Sequence, residues 1–380
     1  MTRRILAGVR VLDITQIVAG PWCTRMLADL GASVVKVDVP GPALDGGKPR
    51  RSAGPLAQNL GKRSIVLDLK QPEGIAVAKR LAGAADVLVQ NYRPGGLAAL
   101  GLAYSDLEPH NPRLIYTTIA GFGQNTSFAK RGAYGATAHA EAGLLWLQQQ
   151  AQGGERPFPP GITVADIVTG MNACTAILAA LYDREQTGAG QEIDISLMDS
   201  QLAFLGEAAA GDQGRAGAAW TPFRHGLQKT IDGYITVNLG PPRSWPRLAT
   251  AIGQPGLPFP GTREAADHLL DEWAATVTTA QAAAALGAAG APYGVVNSMQ
   301  EAFDHPYFAE RGMIVDVPDP LGEPMRTTSS PLFFSDAESG PTGAAPLAGE
   351  HTRAILAELG YTPTEVDHLI ASGSAQAAQR

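Results

Sequence analysis

Cysteine is scarce in this 380-residue sequence, and several familiar catalytic motifs are missing. Its two cysteines, Cys23 and Cys174, both lie in apolar helical contexts, which excludes a disulfide framework and argues against a metal cluster. No G-x-G-x-x-G fingerprint, P-loop, G-x-S-x-G elbow or H-E-x-x-H motif occurs. The sequence therefore does not indicate a nicotinamide enzyme, a P-loop kinase, a conventional serine hydrolase or a zincin, and we predict no metal site.

Long apolar runs are also missing. No stretch reaches membrane-spanning length, and the charges in the N-terminal segment MTRRILAGVRVLDI lie too close together for a signal peptide. Hydrophobic residues make up 45% of the chain and charged residues 17%, a composition typical of globular enzymes. We expect a cytoplasmic enzyme of two domains that has no membrane partner.

Positive charge is concentrated in the first third of the chain. Residues 1–131 hold 17 Lys or Arg against 9 Asp or Glu, whereas the remainder holds 12 against 27. This asymmetry suggests that the first third meets an anion. The basic residues alternate with apolar residues, Gly and Pro and form no long basic run. A phosphorylated small molecule therefore fits better than nucleic acid.

The same region alternates strand and helix patterns. Val9–Ile14 is predicted as a buried strand, a helix follows from Trp22 to about Leu30, and Ser33–Val39 is a second strand. Further strands are predicted at Ser64–Leu69, Asp86–Gln90 and Leu114–Ile119. This order predicts an α/β fold with a parallel sheet and right-handed crossovers.

Candidate binding residues follow the carboxyl ends of these strands, where open α/β sheets bind ligands. Gln16 and Val18 follow the first strand, and Asn91 and Arg93 follow the strand that ends at Gln90. The basic residues near the strand starting at Ser64 are Lys62 and Arg63. Each basic residue alone could be a solvated surface charge, but their joint placement favours phosphate or pantetheine binding.

The most informative stretch is Ile162–Asp199, where Asp166 stands at the mouth of a long apolar helix. The Gly188-Ala189-Gly190 turn closes that helix, and Gln191–Leu197 alternates like a strand. A carboxylate in this place can cap the free N–H groups of the helix or act as a nucleophile. The local pattern does not distinguish these roles.

Several segments, taken in order, resemble the family III CoA-transferases, the CaiB/BaiF group. The resemblance covers essentially the whole chain, and its specificity comes from the order and spacing of the segments. They are VRVLDITQIVAGPWCTRMLADLGASVVKVDVPG, GKRSIVLDLKQPEG, DVLVQNYRPGGLAALGL, NPRLIYTTIAGFG, ADIVTGMNACTAILAALYDREQTGAGQEIDISLMD, TIDGYITVNLG, PYGVVNSMQEAFDHPYF and GEHTRAIL.

The resemblance implies that Asp166 is the catalytic nucleophile and that coenzyme A (CoA) or acyl-CoA is a substrate, with no tightly bound cofactor. The implied CoA contacts, to which we add Arg93 and Arg131 as basic candidates, are Val18, Ala19, Leu67, Leu69, Lys70, Asn91 and Tyr92. Candidate residues of the substrate pocket are Gln16, Tyr134 and His139. On this view the partners are an acyl-CoA and a small carboxylic acid.

The resemblance also implies a domain plan. We expect a Rossmann-like large domain over residues 1–205, completed by residues 325–380 of the tail, and a smaller α+β domain over residues 222–324. A linker rich in Gly and Ala, residues 206–221, joins them. Two ring-shaped subunits are expected to interlock as a homodimer.

The implied chemistry is an exchange of thioesters through mixed-anhydride and aspartyl-CoA thioester intermediates on Asp166. We expect N–H groups at the start of the helix to keep Asp166 ionised and to stabilise oxyanions. Two departures from relatives bear on substrate choice: Gly135 stands where many transferases have Asp or Glu, and Val18 stands where formyl-CoA transferase has Gln. Both argue against oxalate- or formate-type substrates.

Two other functions stay open. Related α-methylacyl-CoA racemases carry a catalytic histidine at the position of Tyr134, and a racemase needs a second base. His139 is the candidate substitute, although a histidine among alanines is more often a hydrogen-bonded interior residue. We therefore rank a CoA-transferase above a 2-methylacyl-CoA racemase or isomerase, and both above a non-catalytic CoA-binding protein.

Overall fold

The computed structural model describes residues 3–40, 44–45, 48–49, 53–153, 155–211 and 226–378. The strands within these residues are β1 (Arg10–Ile14), β2 (Ser33–Asp38), β3 (Leu44–Asp45), β4 (Lys48–Pro49), β5 (Arg63–Leu67), β6 (Val87–Gln90), β7 (Ile115–Ala120), β8 (Gln191–Ser196), β9 (Gly226–Lys229), β10 (Tyr234–Val237), β11 (Tyr293–Val295), β12 (Ile314–Pro318), β13 (Pro324–Thr328) and β14 (Ala375–Gln376).

The helices are α1 (Ala19–Asp29), α2 (Ala53–Asn59), α3 (Pro72–Ala84), α4 (Tyr104–Leu107), α5 (Gly135–Glu141), α6 (Leu144–Gln152), α7 (Val164–Thr187), α8 (Leu197–Phe204), α9 (Gly206–Gly211), α10 (Trp245–Ala251), α11 (Arg263–Ala274), α12 (Thr279–Ala288), α13 (Met299–Phe303), α14 (Pro306–Glu310), α15 (Thr352–Glu358) and α16 (Pro363–Ala371). Two short 3-10 turns occur at Ala98–Leu100 and Pro242–Ser244.

Seven strands form the largest sheet, in the order β14-β5-β2-β1-β6-β7-β8. All neighbours pair in parallel except β14, which runs antiparallel to β5. Helices α1, α3 and α7 connect successive parallel strands, so that both faces of the sheet are covered and strands such as β6 are buried throughout. The predicted α/β fold with a mostly parallel sheet is confirmed, and smaller antiparallel sheets accompany it.

The strand order reverses at β1. The chain passes from β1 to β2 and β5 on one side, then returns to β6 on the other side and continues to β7 and β8. In open α/β sheets such a reversal leaves a crevice at the carboxyl ends of the two strands, where ligands bind. The crevice here lies between the residues that follow Ile14 and those that follow Gln90.

Helix α7 runs opposite to the strands. At its last turn, Arg184 Nη1 lies 3.2 Å from Asp86 Oδ1 and donates to the carbonyl oxygen of Arg113 (3.1 Å), and both partners precede parallel strands. Gly188, in the left-handed region (φ 78°), ends the helix as predicted. The first turn of α7, which carries Asp166, therefore lies at the carboxyl edge of the sheet.

The same helix packs closely against α1. A Cβ atom at Gly170 would come within 2.6 Å of the Ala19 carbonyl oxygen, so that only glycine allows this approach. By length and composition α7 is also able to cross a membrane, contrary to our expectation that no segment reaches that length. Its buried face, including Ala173 and Ile177, belongs to the core that it shares with α1 and the sheet.

A buried ion pair lies beneath the turn between β1 and α1. Lys62 Nζ is 3.0 Å from Asp13 Oδ2, and both side chains are fully buried. Lys62 also donates to Thr24 Oγ1 (2.8 Å). Lys36 Nζ donates to the carbonyl oxygen of Thr15 (2.7 Å). Burial raises the pKa of Asp13, but Lys62 and Lys36 outweigh it and hold this pKa below its usual range. The turn therefore rests on a polar network whose groups satisfy one another.

The chain divides into two compact units, Met1–Trp220 with Gly312–Arg380, and Thr221–Arg311. The second unit contains the sheet β11-β10-β9, with α10, α11 and α12 packed around Trp245 and Leu270. Strands β9 and β10 pair antiparallel and form a hairpin around Asp232-Gly233. The predicted boundary at residue 324 lies further along the chain than the one observed, since the strand pair β12-β13 belongs to the first unit.

The tail of the chain returns to the first unit. Strand β14 adds to the edge of β5, and α15 packs against the same strand. Glu73 of α3 receives hydrogen bonds from Ser372 and Ser374, and lies 2.9 Å from His368 Nε2. Part of the predicted linker, residues 206–211, is helix α9, and the rest of it lies outside the described residues.

Candidate active site

Asp166 is the third residue of α7 and is 8% exposed. The N-cap position belongs to Thr163, so the interpretation of Asp166 as the N-cap residue is wrong. Burial raises the pKa of the Asp166 carboxyl to about 6, against an opposing hydrogen bond from its own backbone N–H. We expected the helix N–H groups to keep this carboxylate ionised. That expectation is wrong, because desolvation raises the pKa by more than the backbone hydrogen bond lowers it.

The Asp166 carboxylate lies directly over the first residue of α5. A Cβ atom at Gly135 would come within 2.1 Å of Asp166 Oδ2 and 3.6 Å of Thr163 Cβ. No real side chain tolerates the first distance, whereas the second is an ordinary contact. The space that the missing side chain of Gly135 leaves is thus the space that the carboxylate fills.

The residue before Asp166 is held at both of its backbone groups. The Ala165 N–H donates to His139 Nε2 (3.0 Å), and its carbonyl oxygen accepts from Thr169 Oγ1 (2.6 Å). His139 is buried, and burial lowers its pKa. Because Nε2 accepts, the neutral imidazole carries its proton on Nδ1. His139 is therefore a hydrogen-bonded interior residue, which was one of the two interpretations of the sequence. Its Nε2 is not available as a second base in this arrangement.

The turn after β1 is fixed to the end of β6. Asn91 Oδ1 accepts from the Gln16 N–H (2.8 Å) and Asn91 Nδ2 donates to the Gln16 carbonyl oxygen (2.7 Å). Ile17 follows with φ 70°, a left-handed conformation that is uncommon for a β-branched residue, and its side chain is exposed. Such strain concentrates where the surrounding structure over-determines a functional turn.

This turn also packs against the helix that carries the carboxylate. Val18 is half-buried and precedes α1, and Ala19 is the buried first residue of that helix. The Ala19 carbonyl oxygen lies against Gly170, which is one helical turn after Asp166 on the same face of α7. Val18, Ala19 and Asp166 therefore belong to one neighbourhood.

The predicted contacts on β5 and β6 differ in exposure. Tyr92 is partly buried, burial raises its pKa, and it is hydrogen-bonded to the Gln16 side chain. Arg93 and Lys70 are exposed and able to meet phosphate groups. Leu67 and Leu69 are buried core side chains, so that only their backbone groups could contact a ligand.

Three basic residues are engaged elsewhere. The predicted phosphate contact by Lys62 is wrong, because its ammonium is buried against Asp13. Arg63 forms a two-point ion pair with Glu358 at 2.8 and 2.7 Å. Arg131 pairs through both terminal nitrogens with Glu141 and lies over the Phe122 ring at 5.0 Å. A CoA phosphate at Arg131 would thus compete with Glu141 for the same guanidinium.

Tyr134 precedes Gly135 and is 70% exposed, which leaves its ring free to line a pocket beside the carboxylate. Three contributors were missed at the sequence level: Ile17, Gly170 and the role of Gly135 as the floor beneath Asp166. Only Gly135 had a signal, its departure from the residue that relatives carry. Across the described ranges, no group of three or more His, Cys, Asp or Glu side chains could hold a metal ion.

A buried carboxylate with a raised pKa at the carboxyl edge of a parallel sheet is the kind of site that α/β enzymes use for catalysis. The family model for CoA-transferase family III matches residues 6–352. The chain is 33% identical to succinyl-CoA:glutarate CoA-transferase of Mus musculus over 97% of its length and 89% of the relative's. It is 32% identical to succinyl-CoA:mesaconate CoA-transferase of Haloarcula hispanica, over 93% and 96%.

A solved structure agrees with these relatives. The crystal structure of a CaiB/BaiF family protein from Brucella suis superposes with a TM-score of 0.83 at 32% identity, covering 94% of this chain and 99% of that one. The chain therefore belongs to the family III CoA-transferases, as the sequence resemblance predicted, and it is a CoA-transferase.

Proposed function

We propose that the protein moves CoA from an acyl-CoA to a free carboxylic acid with Asp166 as the covalent nucleophile. The observation that carries this proposal is the buried carboxylate over Gly135, beside the turn that begins α1. A carboxylate is suited to the task because it forms an activated acyl group and is restored at the end.

The steps balance without an external energy source. Asp166 attacks the donor thioester carbonyl, forming a mixed anhydride and releasing CoA thiolate. The thiolate attacks the Asp166 carbonyl carbon, giving an aspartyl-CoA thioester and releasing the donor acid. The incoming carboxylate attacks the same carbon and displaces the thiolate, which then attacks the new acyl carbonyl. The product acyl-CoA leaves, and Asp166 is again a carboxylate.

The crevice between β1 and β6 is the proposed place for CoA. Its support is the position of Val18, Ala19, Asn91 and Tyr92 at the reversal of strand order, where the Asn91 amide holds the turn. Arg93 and Lys70, both exposed at the same edge, are the proposed phosphate contacts.

The substrate proposal rests on the relatives. Those named above use succinyl-CoA with glutarate or mesaconate. We infer that succinyl-CoA is the donor here and a small dicarboxylic acid the acceptor. The test is a panel of free acids mixed with succinyl-CoA, analysed for new CoA esters. A new ester only with monocarboxylic acids would contradict this choice.

Racemization is the weaker alternative. The imidazole that would replace the missing histidine is buried and accepts from the Ala165 N–H. Transfer by the wild-type enzyme and its loss in Asp166→Ala test the proposal directly. Deuterium entering the α-carbon of a chiral acyl-CoA without an acceptor acid would support the racemase instead.

Two further expectations stay proposals: a cytoplasmic location and a homodimer. The interlocked dimer implied by the family resemblance has support in exposed apolar side chains on α7 and α8, namely Met171, Tyr182, Leu202 and Phe204. Such side chains mark interaction surfaces when they cluster. Light scattering on the purified protein would report a mass twice that of the chain, and a monomeric mass would contradict the dimer.

A further inference from the structure

Helix α5 bears on the nucleophile at two points that are four residues apart. Gly135 at its start lies under the Asp166 carboxylate, and His139 at its last turn accepts from the backbone N–H of Ala165. Residues four apart lie on the same face of a helix, so one face of α5 contacts both the side chain and the backbone of this segment.

The backbone conformation at position 135 does not require a glycine. Its φ is not in the left-handed region, and the nearest atom to an added Cβ, apart from the Asp166 carboxylate, is Thr163 Cβ at 3.6 Å. A glycine at the start of a helix is otherwise no better than alanine. An added Cβ would therefore act on the Asp166 carboxylate, which would have to turn away from it.

We infer that Gly135 is a positioning residue for the nucleophile. Because it has no side chain, the Asp166 carboxylate can occupy the space above it and stay oriented toward the bound thioester. The inference rests on the proposed role of Asp166. It assigns a function to a residue that departs from the acidic residue of many relatives. A side chain at position 135 would turn the carboxylate away, and small misplacements of a reacting group are costly in rate.

The test compares Gly135→Ala with Gly132→Ala, since no atom lies within 4 Å of a Cβ at Gly132, three residues earlier. Gly135→Ala should lower kcat by about 100-fold. It should leave the dissociation constant of CoA within about twofold, because the crevice between β1 and β6 is not altered. Gly132→Ala should match the wild type in both measurements.

A pH profile separates positioning from general damage. A displaced carboxylate meets more water, so the acid limb of kcat/KM should move to lower pH in Gly135→Ala. His139, the titratable group that faces this segment from α5, is unchanged in both variants. A double-mutant cycle of thermal stability with Asp166→Ala is the second measurement. Gly135→Ala should lower the thermal stability more when Asp166 is present than in the Asp166→Ala background.

The outcomes are separable. If Asp166→Ala keeps its transferase activity, the proposed function fails. If Asp166→Ala is inactive while Gly135→Ala behaves like Gly132→Ala, the inference about Gly135 fails alone. Loss of CoA binding in Gly135→Ala, or a double-mutant cycle without coupling, would also overturn it.

Discussion

His139 Nε2 accepts a hydrogen bond from the Ala165 backbone N–H at 3.0 Å, immediately before Asp166. The first N–H groups of a helix have no partner within the helix, and a buried one without a partner costs free energy. A neutral histidine on a neighbouring helix thus satisfies a backbone group that no side chain of α7 satisfies.

The first prediction concerns this bond. His139→Leu leaves the Ala165 N–H buried and without its partner, so the free energy of unfolding should fall by about 1–3 kcal/mol. Its kcat should fall as well, because the segment carrying Asp166 loosens. His139→Gln supplies an acceptor oxygen and should keep most of both. Denaturant unfolding and steady-state kinetics measure the two quantities. Equal losses in Gln and Leu variants would contradict a role for the acceptor.

The second prediction concerns the pH dependence of catalysis. The pKa of Asp166 is raised by burial to about 6. In the proposed mechanism the ionised form is the nucleophile. The value of kcat/KM should therefore rise as pH increases through about 6 and then level off. The limb should persist in His139→Gln, which removes the other titratable group facing this segment. Its disappearance in that variant would assign the limb to His139 instead.

The third prediction follows from the same shift through stability. The folded pKa lies above the ordinary value of about 3.9, so the folded protein binds this proton more tightly between pH 4 and 6. Ionised Asp166 therefore lowers the free energy of unfolding above pH 6, by about 3 kcal/mol. Asp166→Asn should be more stable than wild type at pH 7.5 and no more stable at pH 4.

The control for that stability experiment is Asp316→Asn, at an exposed position on β12. It should leave the pH dependence of unfolding unchanged. A gain for Asp166→Asn of equal size at both pH values would show that the ionised carboxylate is not the cause.

The fourth prediction concerns the buried pair under the first turn. Lys62→Met leaves Asp13 buried without its closest cation, and breaking a buried pair costs about 3–5 kcal/mol. Lys79→Met, at an exposed position on α3, should change the free energy of unfolding by less than about 0.5 kcal/mol. The double variant Asp13→Asn with Lys62→Met should recover part of the loss. An additive double variant would contradict the ion pair.

Local patterns predicted much of this fold. Strands β1, β2 and β7 begin and end within one residue of the bounds that the sequence predicts. The long helix ends at Gly188 as expected, because a left-handed C-terminal glycine is a local signal. Apolar periodicity and turn-forming residues are signals that span only a few neighbouring residues. A short stretch of sequence is therefore enough to predict the elements that depend on them.

Contacts between distant residues were not predictable in this way. A short window around Lys62 predicts a surface phosphate ligand, because its partner, Asp13, lies 49 residues earlier. The local pattern around Asp166 fits a cap or a nucleophile equally well. The folded chain shows that Thr163 holds the N-cap position and that Gly135 lies beneath the carboxylate. The pKa of Asp166 also depends on burial, which only the packed structure provides.

The family resemblance supplied what these patterns could not, namely a candidate nucleophile and CoA as its substrate. The assignment of individual CoA contacts still rests on that resemblance. Leu67 and Leu69 illustrate the limit, because the packed core leaves only their backbone groups for a ligand.

The most direct test is intact-protein mass spectrometry of the enzyme mixed with succinyl-CoA in the absence of an acceptor acid. We predict a CoA-sized adduct that maps to Asp166, disappears with hydroxylamine and does not form in Asp166→Asn. An active enzyme that shows no adduct at any time during turnover, or an adduct that persists in Asp166→Asn, would contradict covalent transfer through this carboxylate.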